Sequence, residues 1–178
     1  MSEPVENGGA GWVLVGVGAV QLIWALIYLV MSVLGFAMGG CGALMGIAAV
    51  LDSGDPTLMC MGIYGAVIPL INMLAYLIFS IMAVVIIVGG IRFNQFRSFG
   101  MVRMASFFAT GIPLLALLLS LTAICGALTN PLGLCTGLIC SNIPSFIMLL
   151  LGGGATFYAM SVMGRDEVAA QFAMNDAQ

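Results

Sequence analysis

The residues able to do chemistry in this chain are few. Across 178 residues there are seven carboxylates, four arginines and five cysteines, with no His and no Lys. General acid–base catalysis calls for His or positioned carboxylates. The two acidic pairs, Asp52/Asp55 and Asp166/Glu167, have no Cys/His or Ser/His partner nearby, and no phosphate loop or metal-ligand spacing accompanies them. Met59-Cys60-Met61, with Met38, Met45 and Cys41, offers soft donors of the kind Cu(I) prefers. Methionine is spread through the whole chain as packing material, however, so no metal and no cofactor is assigned. The residue types point away from an enzyme.

The elements that hold these residues follow from where the charges are absent. The chain is 62% apolar and 6% charged, against roughly 45–50% and 25% for a soluble domain. Residues 7–51, 56–91 and 104–164 carry no charge. A membrane-crossing helix needs about 20 apolar residues to cover about 30 Å of hydrocarbon. Each gap is long enough for one span. The last holds two, divided by "CGALTNPLGLCTG" with its Asn130-Pro131 and Gly133 turn signals. The expected fold is all-α, a polytopic four-transmembrane-helix bundle with spans at about 12–38, 62–90, 101–125 and 138–163. Residues 1–11 read as a flexible lead and 164–178 as a short tail. The acidic start lacks the basic segment of a cleavable signal, so the first helix is expected to stay.

"RFNQFRSFGMVR" (92–103) holds Arg92, Arg97 and Arg103, and Arg165 follows the fourth span. Arg at the centre of a span costs about 2.5–3.5 kcal/mol, and short Arg-rich loops stay cytoplasmic. With four spans, all four arginines share one side with both termini, which are therefore expected in the cytoplasm. Phe93, Phe96 and Phe99 interleave with these arginines, a pattern that invites a nucleic-acid reading. Three cations are too few to neutralise a phosphate backbone, so no nucleic acid is expected. Topology comes first, with anionic lipid head groups as the contact, at about 1 kcal/mol per arginine.

Cys41, Cys60, Cys125, Cys135 and Cys140 then fall at or near the opposite face. Thiols pair in oxidising compartments. One or two disulfides are expected there, Cys41 with Cys60 and two of the other three, with small buried helix-end residues as the alternative.

Small residues recur at four-residue spacing in Gly35/Gly39, Gly42/Gly46 and Gly133/Gly137. Such pairs let helices approach closely in lipid, within a subunit or between subunits. The run from Trp12 to Val50 exceeds one crossing, and Gly39-Gly40 and Gly42 are expected to break it. Residues 39–51 then project, fold back at the interface or form a further span. Pro69, Pro113 and Pro144 are expected to kink spans two, three and four. Gln21, Asn72, Ser32, Ser80, Thr110, Ser120 and Thr122 are the uncharged polar residues of the spans. Interhelical hydrogen bonds from Gln21 and Asn72 are the expected use.

"VGGIRFNQFRSFGMVRMASF" (88–107) and "GGATFYAMSVMGRDEVAAQFA" (153–173) resemble small bacterial four-helix integral membrane proteins of unknown function. The first part matches at Gly89, Gly90, Arg97, Ser98, Phe99 and Gly100. The second matches at Gly154, Met160, Val162, Met163, Glu167, Val168, Ala170 and Phe172, with Phe157 where Trp is typical. The resemblance covers the C-terminal half. It implies the four-helix fold and a bacterial inner membrane, and brings no catalytic activity.

The functional expectation is a non-catalytic structural or accessory subunit. It would contact membrane lipid and assemble as a homo-oligomer or within a larger membrane complex through Gly-rich helix faces. The alternative is an oligomeric pore or small-solute channel, motivated by the three prolines and the uncharged polar residues.

Overall fold

The computed structural model describes residues 9–53, 56–127 and 142–176. These form five helices and, among the described residues, no strand: α1 (Ala10–Ser53), α2 (Pro56–Asn94), α3 (Phe99–Ala127), α4 (Ile143–Met163) and α5 (Asp166–Asp176). Among the described residues, four segments are long and apolar enough to cross a membrane: Ala10–Gly39, Val67–Asn94, Phe99–Ser120 and Ile143–Met163. The architecture is that of an all-helical integral membrane protein. Helix is the form this sequence must take in lipid, because a backbone N–H or C=O has no water to bond there and must be satisfied within its own segment.

The expected break in α1 is not found. The helix runs through Gly39, Gly40 and Gly42 without interruption, for 44 residues to Ser53. Glycine costs about 1 kcal/mol in a helix relative to Ala, which does not outweigh the hydrogen bonds of the helical turns on either side. The helix wins, and residues 39–51 prolong it. Pro144 is a second correction. It lies in the first turn of α4, where its missing N–H would have had no intrahelical partner, so it starts the helix rather than kinking it. Pro69 and Pro113 do lie inside α2 and α3.

The chain divides into two compact units. The first takes α1 up to Gln21, α2 from Ile81, and all of α3, α4 and α5. Where its helices cross, the buried residues are mostly small or β-branched, among them Ala83, Ile86, Val102, Ala105, Ala109, Ile112, Ala155, Ala159 and Val162, with Leu14, Phe93 and Phe172 the largest buried side chains. Close approach comes from glycines that stand at contacts between helices. A Cβ on Gly90 would lie 2.6 Å from the Gly11 carbonyl oxygen, and one on Gly18 would lie 2.9 Å from Ile87. Both would force α1 and α2 apart. Gly89 lets α2 meet α3 at Ala105 in the same way. Dispersion packing of this kind replaces the hydrophobic effect in lipid.

The second unit is a helix pair, α1 from Leu22 and α2 as far as Ser80. Trp24, Tyr28, Tyr76 and Phe79 pack their rings with centroids 5.1–5.8 Å apart, and Trp24–Tyr76 and Tyr76–Phe79 meet edge to face. Such geometry adds about 0.5–1.5 kcal/mol per pair beyond burial. Gly35 lies over Pro69, 3.6 Å from its Cβ to a Cβ built on the glycine. That glycine therefore packs within the chain.

Candidate functional site

Two constructions in the first unit hold the residues that the sequence singles out. The first is the turn between α2 and α3. α2 ends with Arg97 N–H donating to the Arg92 carbonyl at 3.0 Å and Phe96 N–H to the Phe93 carbonyl at 3.0 Å. This is the double bond of a Schellman cap. The residue at its left-handed position is usually Gly, but here Phe96 takes it with φ 49°, and Ser98 follows with φ 57°. Such backbone costs about 1–3 kcal/mol per residue and persists only where the surroundings enforce it.

What enforces it is α5. Phe172, 2% exposed, has the rings of Phe93, Phe96 and Phe99 around it at centroid distances of 5.8, 5.7 and 5.4 Å. Arg92 Nη1 also donates to Ser98 Oγ at 3.0 Å across the turn. The three phenylalanines that invite a nucleic-acid reading are thus committed to a helix of the same chain. Gly164 ends α4, its N–H donating to the Met160 carbonyl, and α5 starts anew at Asp166 rather than continuing span four. Asp166 and Glu167 sit in its first turn, where negative charge is favoured by the helix dipole. Val168 and Phe172 are buried while Ala169 is exposed. All four arginines are exposed, and α2's end, the turn, α3's start and the α4–α5 link carry them.

The second construction is a polar knot joining α1, α3 and α4. Gln21 is fully buried and its Nε2 donates to the Ala109 carbonyl at 2.7 Å. In an α-helix that carbonyl would accept from the residue four positions on, which is Pro113 and has no N–H. Gln21 supplies the donor that Pro113 lacks. α4 reaches the same carbonyl only because residue 152 is glycine. A Cβ there would overlap the Ala109 oxygen and lie 2.8 Å from the Ala109 carbonyl carbon. One turn along, Thr156 donates to the Ser106 carbonyl, and Thr110 and Thr156 share a hydroxyl bond of 2.8 Å. Further along the pair, Ser120 donates to the Leu117 carbonyl and bonds Asn142. Both acceptors are oxygens, the Leu117 carbonyl and Asn142 Oδ1, and a hydroxyl has one proton, so Ser120 donates to one of them at a time.

A double-mutant cycle checks the Pro113 assignment. Gln21→Leu should cost about 1–3 kcal/mol by leaving a buried acceptor unmet. In a Pro113→Ala background the helix supplies its own donor, so the same change should cost less, with a coupling of about 1 kcal/mol or more. Reversible unfolding of the four variants in detergent measures it.

The remaining candidates divide by position. Cys41 is an exposed free thiol. Cys60 and Cys125 are in α2 and α3 by backbone, and their side chains, with Cys135 and Cys140, lie outside the described residues. Gly39 is half-buried; the surroundings of Gly42 and Gly46, and all of Gly133 and Gly137, also lie outside them. Asn72 is half-buried. Sequence reasoning missed Gly11, Gly18 and Gly152. Counting any small residue at four-residue spacing, rather than Gly alone, finds the facing pairs Ser106/Thr110 and Gly152/Thr156. No protein family, curated protein or solved structure matches the chain in comparison.

Proposed function

We propose that the chain is a non-catalytic structural or accessory subunit of a membrane, assembling with copies of itself or with a larger membrane complex. The observation that carries this reading is how the polar side chains are used. Gln21, Thr110, Thr156 and Ser120 tie one helix to another, while Ser32, Ser80 and Ser106 bond carbonyls of their own helices. Such bonds hold a scaffold. Groups spent on them are not free to line a path for solute, which leaves the pore reading with less support. The outward faces are apolar along the described lengths of α1 to α4, with Ile23, Ile81, Phe107, Leu150 and Phe157 more than half exposed, and such faces suit lipid or partner helices.

Both termini and all four arginines are placed in the cytoplasm, by the charge bias of short loops. A bacterial inner membrane fits the resemblance at residues 88–107 and 153–173. Light scattering of the chain in mild detergent or nanodiscs, with identification of copurifying proteins, tests the assembly. A strictly monomeric protein without partners overturns it. A reporter fused at either end should read cytoplasmic, and an external signal from either one reverses the topology.

A further inference from the structure

We infer that α5 is a strap whose closure is governed by the backbone of the α2–α3 turn, so that turn and strap open and close as one unit. The cradle that receives Phe172 is a product of that turn. Phe93 belongs to the last turn of α2, Phe96 to the turn itself, and Phe99 is the first residue of α3. Their rings converge on Phe172 because the left-handed residues Phe96 and Ser98 bring the start of α3 back beside the end of α2. Phe96 carries both sides of the balance. Its own backbone is strained, and its own ring meets Phe172 edge to face.

Two features make the strap, and not the bundle, the part that opens. α5 is 11 residues long, below the roughly 12–15 that an isolated helix needs in water, and its buried apolar side chains are Val168 and Phe172. It follows α4 after Gly164 and Arg165, a tether short enough to keep a released strap beside its cradle. α3 and α4, by contrast, are 29 and 21 residues long and are bonded to each other at Thr110, Thr156 and Ser106, away from the turn. Closure thus sets left-handed backbone at two residues that lack glycine's freedom against the burial of one aromatic side chain. The two are linked. Docking holds the turn, and by reciprocity whatever eases or burdens the turn's backbone shifts docking by the same factor. Ser98 isolates this effect. It starts α3, its carbonyl accepting from Met101 and Val102 N–H, and its hydroxyl accepts from Arg92. Unlike Phe96 it contributes no ring to the cluster, so a substitution there alters the backbone preference and leaves all four rings in place.

Hydrogen exchange of the full chain in nanodiscs, read at the amides of 170–176, tests the strap. Ser98→Asn and Ser98→Thr both keep an oxygen for Arg92, but Asn tolerates left-handed backbone whereas a β-branched residue resists it. Exchange of 170–176 should be about fivefold or more slower in Ser98→Asn than in Ser98→Thr, with the wild type between them and 107–116 and 146–160 unchanged in all three. Slower exchange in Ser98→Asn than in the wild type is required in its own right. In a Phe172→Ala background, where the strap is already free, the same pair should differ by less than about twofold. Equal exchange in the two Ser98 variants overturns the inference, and so does a difference that survives Phe172→Ala undiminished. Faster exchange that extends through 107–116 and 146–160 in Ser98→Thr overturns it as well, because the turn would then hold the bundle and not the strap.

Discussion

Replacing Phe172 with alanine should free α5 from the rest of the protein. Truncating a buried Phe typically costs about 3–5 kcal/mol, and this ring is the piece on which Phe93, Phe96 and Phe99 converge. The loss should be local. α5 is 11 residues long, too short to be stable alone in water, and besides Phe172 the buried apolar side chain on it is Val168. Without its anchor the helix should fray, and the turn at Phe96 and Ser98 should relax from its left-handed backbone, because the packing that enforces it is gone. Hydrogen exchange is the direct readout. Amides of 166–176 and 95–98 should lose protection in Phe172→Ala while those of α3 and α4 keep theirs, and Phe172→Leu should fall between. Unchanged protection in the alanine variant would mean that the cluster does not hold the helix.

The second large effect is expected at Gly152. Gly152→Leu places a branched side chain where α4 crosses the Ala109 carbonyl, and the obstacle is backbone, which cannot rotate away. Overpacking costs about 1–3 kcal/mol and occasionally more; here about 3 kcal/mol or more is expected, since separating α3 from α4 also stretches the Gln21–Ala109 and Thr156–Ser106 bonds. Gly154, two residues on, has nothing within 4 Å of a built Cβ. Gly154→Ala should therefore be neutral or stabilising by up to about 1 kcal/mol. Denaturation of both variants in mixed micelles checks the contrast. Equal losses would show that the effect lies in helical glycine as such and not in this contact.

The Gln21–Pro113 pair and the Phe172 cluster show how unevenly the site was legible. Gln21 and Pro113 each stand out in an apolar run, one as a buried hydrogen-bonding group and the other as a missing donor. Nothing in their spacing, 92 residues apart, says that one answers the other. Likewise Phe93, Phe96 and Phe99 read as a local pattern with arginine, because their common target is 73 residues beyond the last of them.

By itself the sequence determined the class of the protein. Charge-free runs too long and apolar for water dictate membrane-crossing helices, because in lipid a backbone has no other way to satisfy its polar groups. Four such helices are present among the described residues. Only the tertiary structure decided that α1 continues unbroken, that Pro144 opens α4, and which glycines matter. Those outcomes depend on what stands opposite a residue, and a contact between distant segments leaves no periodicity in either one.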